Sequence, residues 1–159
     1  MRVGFGLGSN IGDKPANIRE ALALLEARAI ARLTAVSRVY RTPPWGVTDQ
    51  GDFANACAIG ETPLEPYALL AAVKKIEADM GRTPTRRWGP RLIDVDILFL
   101  GDHTLDDPEL TLPHKELFGR SFVLTPLAEI APNLVLDGVM VRDAQKAVNS
   151  EDVRPWDAA

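Results

Sequence analysis

Two aspartates lie two residues apart in an apolar segment of the sequence. Asp94 and Asp96 stand among Leu, Ile, Val and Phe residues over positions 92–100, a pattern typical of a buried β-strand. Because side chains alternate along a strand, both carboxylates share one face, about 7 Å apart. Mg²⁺ is commonly bound by one or two carboxylates together with substrate phosphates. The pair therefore predicts a magnesium site; the alternative is that each carboxylate pairs with a nearby arginine.

A cluster of cations comes just before the aspartates. Cations beside a magnesium site are what a protein needs to bind a polyphosphate. The alternative is a solvated helix end, where cations complement the helix dipole. The cluster consists of Lys74, Lys75, Arg82, Arg86, Arg87 and Arg91.

Phe53 and Asn55 are two residues apart in a second alternating segment and so share a strand face. An aromatic ring beside a carboxamide suits a flat heterocycle, which would stack on the ring and hydrogen-bond through its edge. The alternative is a core phenylalanine next to an asparagine that ends a turn. Upstream, Pro43 and Pro44 stiffen the backbone and fix the direction of its polar groups.

Apolar periodicity supplies the elements that must position these side chains. Alternation predicts strands over residues 3–7, 33–40, 53–59 and 92–100, and helical spacing predicts helices from Asp13 to 29 and from Glu65 to 80. In the first strand, glycines occupy every second position and leave one face nearly bare. The order β-α-β-β-α-β is typical of the ferredoxin-like split βαβ fold, an α+β fold with helices on one face of a mainly antiparallel sheet.

The C-terminal part of the sequence adds smaller elements to this core. We expect a short helix near residues 126–130, a hairpin that turns at Asp137 and Gly138, and a last helix near residues 143–148. The tail over residues 149–159 is polar apart from Trp156, so we expect it to be loosely held.

Length and composition set further bounds on the interpretation. The 159 residues, 46% of them hydrophobic, fit one domain over residues 1–159. A net charge of −4 disfavours a nucleic-acid partner. No apolar run is long enough to span a membrane, and one cysteine, Cys57, excludes an intrachain disulfide. We expect a cytoplasmic enzyme that does not act on nucleic acids or membranes.

Longer stretches of the sequence resemble a known enzyme family. The run RWGPRLIDVDIL from Arg87 to Leu98, the run GSN at residues 8–10 and the run YRTPP from Tyr40 to Pro44 are similar to 6-hydroxymethyl-7,8-dihydropterin pyrophosphokinases of folate biosynthesis. The resemblance covers nearly the whole chain. It implies a ferredoxin-like fold and transfer of pyrophosphate from ATP to the pterin hydroxymethyl group, with release of AMP.

The resemblance also implies roles for individual residues. Asp94 and Asp96 match aspartates that hold two Mg²⁺ ions between ATP and the pterin hydroxyl, and Phe53 and Phe122 match aromatic residues that enclose the pterin ring. The resemblance also places Trp88 in a loop that is expected to close over the site. The expected catalytic residues are Asp94, Asp96, Arg82 and Arg91; the pterin-binding residues are Thr42, Pro43, Pro44, Trp45, Phe53, Asn55 and Phe122; the ATP-binding residues are Lys74, Glu77, Arg82, Trp88, Arg91, Ile97, His114 and Arg120.

The sequence departs from the family pattern at a few positions. Phe53 stands where tyrosine is common, Trp45 replaces a smaller aliphatic residue, Lys74 stands where glutamine occurs, and Lys115 stands where an aromatic residue is expected. Stacking on Phe53 survives this change, but a phenolic hydroxyl is lost.

Three other functional classes are alternatives to a pyrophosphokinase. An RNA-recognition module shares the element order, but the net charge of −4 and the lack of an aromatic RNP-type strand argue against it. A ligand-sensing domain would not need two carboxylates beside a cluster of arginines. A magnesium-dependent phosphohydrolase would release phosphate without an acceptor. We expect a monomer whose partners are ATP and a pterin.

Overall fold

The structure is a computed structural model that describes residues 1–43, 51–81 and 92–157. In chain order the elements are β1 (Arg2–Ser9), α1 (Lys14–Ala27), β2 (Arg32–Val36), β3 (Tyr40–Thr42), β4 (Phe53–Glu61), α2 (Pro66–Met80), β5 (Asp94–Leu100), β6 (Leu105–Asp106), β7 (Thr111–Leu112), a 3₁₀ turn (Leu117–Gly119), α3 (Ser121–Ile130), β8 (Val135–Leu136), β9 (Val139–Met140), α4 (Val141–Ala147) and β10 (Arg154–Pro155).

Six strands form the central antiparallel sheet. Its order is β10-β3-β4-β1-β5, and β2 also pairs with β4. Strand β1 therefore has a partner along both edges. From Gly4 to Gly8 one face of β1 carries only glycine. A Cβ on Gly4 would lie 2.2 Å from the ring of Phe99, so the bare face lets a neighbouring side chain approach the backbone.

Helices α1 and α2 pack on one face of the sheet. The strand residues that face them include Val3, Phe5 and Leu7, and three small residues, Ala54, Ala56 and Ala58, from β4. Ile18 and Leu69 on the helices are fully buried against this layer. The arrangement confirms the predicted ferredoxin-like α+β core.

A second apolar layer lies on the opposite face of the sheet. Leu98 and Phe99 of β5 pack there with Leu124 and Leu127 of α3 and Val141 of α4. The prediction of helices on one face is therefore correct for α1 and α2 and incomplete for the whole chain. Helices α3 and α4 are needed there because the apolar side chains on the second face must also be buried.

Local sequence signals set the ends of the first two helices. The Asp13 carboxylate accepts a hydrogen bond from the backbone N–H of Ala16 (3.2 Å) and caps α1. Helix α2 begins directly after Glu65 and ends before Gly81, with Pro66 in the first turn. Both starts agree with the sequence-based prediction.

Three predicted elements have different bounds in the structure. The strand expected over residues 33–40 is two strands, β2 and β3, and the residues between them include Ser37, whose backbone N–H donates to the Cys57 carbonyl. Helix α3 begins at Ser121 rather than near Pro126, which lies inside it. The hairpin turn is at Asp137 and Gly138 as predicted, both with positive φ, and α4 begins at Val141.

A side-chain network joins the sheet edge to α3. The Tyr40 hydroxyl donates to Glu129 Oε1 (2.5 Å), and the Arg38 backbone N–H donates to Glu129 Oε2 (3.0 Å). The Arg38 side chain also pairs with Glu129 at 3.2 Å. This network ties β3 to the helix that carries Phe122.

The C-terminal residues pair with the sheet. Arg154 and Pro155 form β10 and pair with Arg41 and Tyr40 of β3. The Trp156 backbone N–H donates to the Val39 carbonyl (2.8 Å). The expectation of a loosely held tail is therefore wrong for residues 154–156, because β3 offers an open edge that these residues cover.

Across the described ranges, none of the helices has the length and apolar character needed to cross a membrane.

Candidate active site

The two aspartates lie on the face of β5 that is opposite α1 and α2. In the antiparallel register, Asp94 is beside Gly8 of β1 and Asp96 is beside Gly6. Asp94 is half-buried and Asp96 is exposed. Because the neighbouring β1 residues have no side chains, both carboxylates border open space above the sheet.

A first cavity, of about 220 Å³, lies above the glycine face of β1. Both aspartates line it, together with four of the five described residues that the sequence assigns to a flat heterocycle: Thr42, Phe53, Asn55 and Phe122. The fifth, Pro43, is not among the lining residues. Strands β3 and β4 supply the first three of the four, and α3 supplies Phe122. The structure thus brings together residues that are up to 80 positions apart in the sequence.

Asn55 and Thr42 form the buried polar part of this cavity. The Asn55 side-chain Nδ2 donates to the Thr42 Oγ1 (2.8 Å), and both residues are buried. This hydrogen bond fixes the orientation of the carboxamide. A flat ligand in the first cavity would therefore meet a preorganised amide edge.

A second cavity, of about 180 Å³, is also bordered by β5, at Val95, Asp96 and Ile97. Three residues that the sequence assigns to ATP line it: Lys74, Ile97 and His114. Asp96 lines both cavities. Asp96 is therefore the residue at which ligands in the two cavities would be neighbours.

The sequence did not point to the turn that forms the outer wall of the second cavity. Pro108, Glu109, Leu110 and Thr111 line this wall. The Asp107 carboxylate accepts hydrogen bonds from the backbone N–H groups of Glu109 (2.8 Å) and Leu110 (3.2 Å). An aspartate followed by proline is a turn signal, but such a signal gives no sign of what the turn borders.

Glu77 supports the second cavity and is not among its lining residues. The Val95 backbone N–H donates to Glu77 Oε2 (2.8 Å), and Lys74 Nζ pairs with Glu77 Oε1 (3.2 Å). Burial raises the pKa of this carboxyl, and the hydrogen bond from Val95 and the charge of Lys74 partly oppose the increase. Glu77 thus connects α2 to β5 and orients Lys74.

His114 lines the second cavity, and its imidazole has a lowered pKa. Burial lowers the pKa of its imidazole below the ordinary value, and Arg120 and Lys115 lower it further, whereas Asp96 opposes them. The Glu116 backbone N–H donates to His114 Nδ1 (3.2 Å). Because Nδ1 accepts this bond, the neutral ring carries its proton on Nε2.

Arg120 lies on the first cavity, although the sequence grouped it with the ATP-binding residues. It pairs with Glu116, and its guanidinium lies 5.5 Å from the centre of the Phe122 ring. Pro43 is described and exposed at the end of β3. The other predicted site residues, Pro44, Trp45, Arg82, Trp88 and Arg91, lie outside the described residues.

The chemistry of the donor set fits Mg²⁺. Over the described ranges, His, Cys, Asp and Glu side chains form no group of three or more that could hold a metal ion. Asp94 and Asp96 supply two carboxylates, and Mg²⁺ in phosphate-transferring sites takes one or two carboxylates, with phosphates and waters as the remaining ligands. The open space beside Asp96 leaves room for those ligands.

Comparison with known proteins identifies the family. A family model described as 7,8-dihydro-6-hydroxymethylpterin-pyrophosphokinase (HPPK) matches residues 4–132. The chain belongs to the HPPK family. The residues that line the two cavities all fall within the HPPK match, whereas α4 and β10 lie beyond it.

Bacterial relatives and solved structures agree with the HPPK assignment. The chain is 50% identical over 143 residues to a 2-amino-4-hydroxy-6-hydroxymethyldihydropteridine pyrophosphokinase of Methylorubrum extorquens, covering 90% of each chain. It is 40% identical to the Bacillus subtilis protein of that name, over 96% of this chain and 88% of the relative. A Plasmodium falciparum HPPK-DHPS structure with pteroate matches the HPPK fold with a TM-score of 0.73 at 16% identity, covering 91% of this chain and 42% of the longer one.

Proposed function

We propose that this chain transfers pyrophosphate from ATP to the hydroxymethyl group of 6-hydroxymethyl-7,8-dihydropterin, releasing AMP, as a step in folate biosynthesis. One observation carries the proposal: Asp96 borders both cavities, one lined by aromatic rings and an amide, the other by Lys74 and His114. A two-substrate transfer requires that the reacting groups meet at one point.

The first cavity is the proposed pterin site. Stacking on Phe53 and Phe122 contributes about 0.5–1.5 kcal/mol of binding free energy per ring pair, beyond the effect of burying the rings. Stacking alone does not distinguish one flat ring from another. Selectivity for pterin rests instead on hydrogen bonds, because a buried polar group left unpaired by the wrong ligand is costly. We assign that selectivity to Asn55 and Thr42, together with the backbone at Pro43 to Trp45.

The second cavity is the proposed ATP site. Lys74 supplies a cation and His114 Nε2–H supplies a neutral donor for phosphate oxygens, with Ile97 in the cavity wall and Glu77 holding Lys74 in place. Arg120 borders the first cavity, so we assign it to the phosphates that are transferred. Arg82, Trp88 and Arg91 complete the proposed ATP-binding set.

Asp94 and Asp96 are the proposed holders of two Mg²⁺ ions. Bound Mg²⁺ neutralises phosphate charge and lowers the pKa of the attacking hydroxyl. The carboxylates fix the direction of attack by their common position on β5, and Arg82 and Arg91 are proposed to stabilise charge that develops on the phosphate oxygens.

The transfer is an in-line displacement. The pterin hydroxyl oxygen forms a bond to the β-phosphorus of ATP and loses its proton to solvent, the bond from that phosphorus to the α-phosphate oxygen breaks, and AMP leaves with that oxygen. Cys57 lines the first cavity, but burial, with a further contribution from Asp96, raises the pKa of its thiol far above the ordinary range. It stays a neutral thiol and does not serve as the general base.

Product analysis tests the proposed reaction. The protein is incubated with ATP, Mg²⁺ and 6-hydroxymethyl-7,8-dihydropterin, and the nucleotide products are separated by chromatography. AMP that appears only when pterin is present supports the proposal. Release of phosphate without pterin identifies a phosphohydrolase instead, and formation of ADP identifies transfer of a single phosphoryl group; either result contradicts the proposal.

We also propose that the protein acts as a monomer in the cytoplasm. A single buried, unbonded cysteine agrees with a reducing compartment. Light scattering after size-exclusion chromatography measures the oligomeric state directly, and a mass of twice the chain contradicts the monomer.

A further inference from the structure

Four residues form a cluster beside the pterin cavity that none of the assigned roles uses. Lys14 begins α1, Arg41 is the middle residue of β3, Asp52 directly precedes β4, and Trp156 follows β10. We call this cluster the Trp156 clamp. It brings together the start of the first helix, both strands that carry the buried Asn55–Thr42 pair, and the C-terminal segment.

The indole of Trp156 is the centre of the clamp. The Arg41 guanidinium lies 4.0 Å from the centre of the indole ring, and Lys14 Nζ lies 5.9 Å from it. Arg41 Nη2 also donates to the Trp156 carbonyl (3.4 Å). Cations over an aromatic face are attracted by its quadrupole, and indole is the strongest of the aromatic side chains in this respect.

Arg41 and Lys14 both also bind Asp52. Arg41 Nη1 pairs with Asp52 Oδ2 (3.3 Å), and Lys14 Nζ donates to the Asp52 backbone carbonyl (2.6 Å). Lys14 Nζ also lies close to position 51, where a Cβ on Gly51 would be 2.8 Å from it. Asp52 directly precedes Phe53, which lines the pterin cavity.

The backbone adds a second connection from the same segment. Strand β3 has only three residues, and β10 covers its outer edge while β4 pairs with its inner edge. Thr42, at the end of β3, accepts the hydrogen bond that orients Asn55. If β3 were paired with β4 alone, its position and that of the Thr42 hydroxyl would be less well fixed.

We propose that Trp156 is a positioning residue for the pterin cavity: it orders Arg41, and through Arg41 it fixes Asp52 with Phe53 on one side and Thr42 with Asn55 on the other. The inference rests on the proposed pterin site. Trp156 touches neither cavity, so its effect is on the geometry of the pterin site and not on the chemistry of transfer.

The test compares affinities for the two substrates in Trp156→Ala and Trp156→Phe. Pterin affinity is measured by calorimetry in the presence of Mg²⁺ and an ATP analogue with a methylene group between the α- and β-phosphorus atoms; affinity for that analogue is measured separately. We expect Trp156→Ala to raise the pterin Kd roughly three- to tenfold and to change the analogue Kd less than twofold. Trp156→Phe keeps an aromatic face and is expected to restore most of the pterin affinity.

Two further variants keep the test decisive. Asp157→Ala changes the exposed neighbour of Trp156 and is expected to leave both Kd values unchanged. If Trp156→Ala does not fold, Arg41→Gln removes the cation from the indole and from Asp52, and it is expected to raise the pterin Kd selectively in the same way.

The outcomes separate this inference from the proposed function. Equal pterin Kd values for wild type and Trp156→Ala overturn the positioning role, and so does an equal rise in both Kd values, which is the signature of general destabilisation. Wild-type protein that binds no pterin overturns the proposed function, and this inference with it.

Discussion

At the scale of single residues, Asp96 is the side chain on which turnover depends most. It is exposed, so its removal leaves no buried cavity and no unpaired buried group. We expect Asp96→Ala to lower the rate of AMP formation at least about 100-fold, because one of the two carboxylates beside the reacting phosphates is lost. The measurement is AMP release at saturating ATP and pterin, with the thermal midpoint as a check of folding.

Asp106→Ala is the matched control for that variant. Asp106 is also an exposed strand aspartate, but it borders neither cavity. Its turnover is expected to equal that of the wild type. Full activity in Asp96→Ala would remove the assignment of this residue to the metal ions.

Asn55 is expected to contribute to pterin binding and to the stability of the fold. In Asn55→Ala the buried Thr42 hydroxyl loses its hydrogen-bond partner, which costs about 1–3 kcal/mol of folding free energy. The pterin KM is expected to rise while the ATP KM stays nearly constant, and steady-state kinetics with each substrate varied in turn measures both. Equal increases would contradict the division into two cavities.

The sequence predicted the site residues where a period-two pattern places them on one face. Asp94 with Asp96 and Phe53 with Asn55 are such pairs, and the structure puts all four around the first cavity. The sequence could not show that Asp96 borders both cavities. That position depends on how residues 108–111 pack against β5, which is a contact between distant segments that no local pattern encodes.

At the scale of elements, Glu129 makes the attachment of β3 to α3 sensitive to pH. Burial acts to raise the pKa of this carboxyl, but the hydrogen bonds from Tyr40 and Arg38 outweigh burial, and the net pKa is lowered. A lowered pKa in the folded state adds stability that is fully present above the ordinary glutamate pKa and is lost as the pH falls through the lowered value.

We therefore expect Glu129→Gln to be less stable than the wild type by about 1–2 kcal/mol at neutral pH. The difference is expected to narrow as the pH falls below the ordinary glutamate pKa, because the wild-type carboxyl then also becomes neutral. Thermal midpoints of both proteins between about pH 3 and pH 7 measure it. A difference that is constant over this range would show that the charge of Glu129 does not contribute.

The elements that the sequence predicted well are those with a strong local signal. Asp13 caps α1 through its own side chain, and Gly81 ends α2. The start of α3 was missed because its N-cap, Arg120, makes no side-chain capping bond, and Pro126 suggested a first helical turn where the helix is already under way. Strand β10 was missed because two residues carry no periodicity; only the open edge of β3 selects them.

At the scale of the whole molecule, the sheet lies between two apolar layers, and we expect them to unfold together. Leu69 lies in the layer with α1 and α2, and Leu124 lies in the layer on the opposite face; both are fully buried. We expect Leu69→Ala and Leu124→Ala each to lower the free energy of unfolding by about 2–5 kcal/mol. Both proteins are expected to unfold in one cooperative transition, as one domain over residues 1–159 requires.

Val135→Ala is the control for these two variants. Val135 is 53% exposed on β8, and its truncation is expected to change stability by less than about 0.5 kcal/mol. Denaturant titration followed by both fluorescence and circular dichroism measures all three proteins. Two separated transitions in either leucine variant would show that the layers fold independently.

The position of β1 has a consequence for the dynamics of the molecule. Neighbouring strands pair with both of its edges, and packed side chains cover the face that carries Phe5 and Leu7, so we expect its amide protons to reach solvent mainly when the whole molecule opens. Deuterium uptake at Phe5 and Leu7 is accordingly expected to be among the slowest in the chain and to report the global free energy of unfolding. The floor of the first cavity then keeps its shape over many catalytic cycles, while substrates come and go above it.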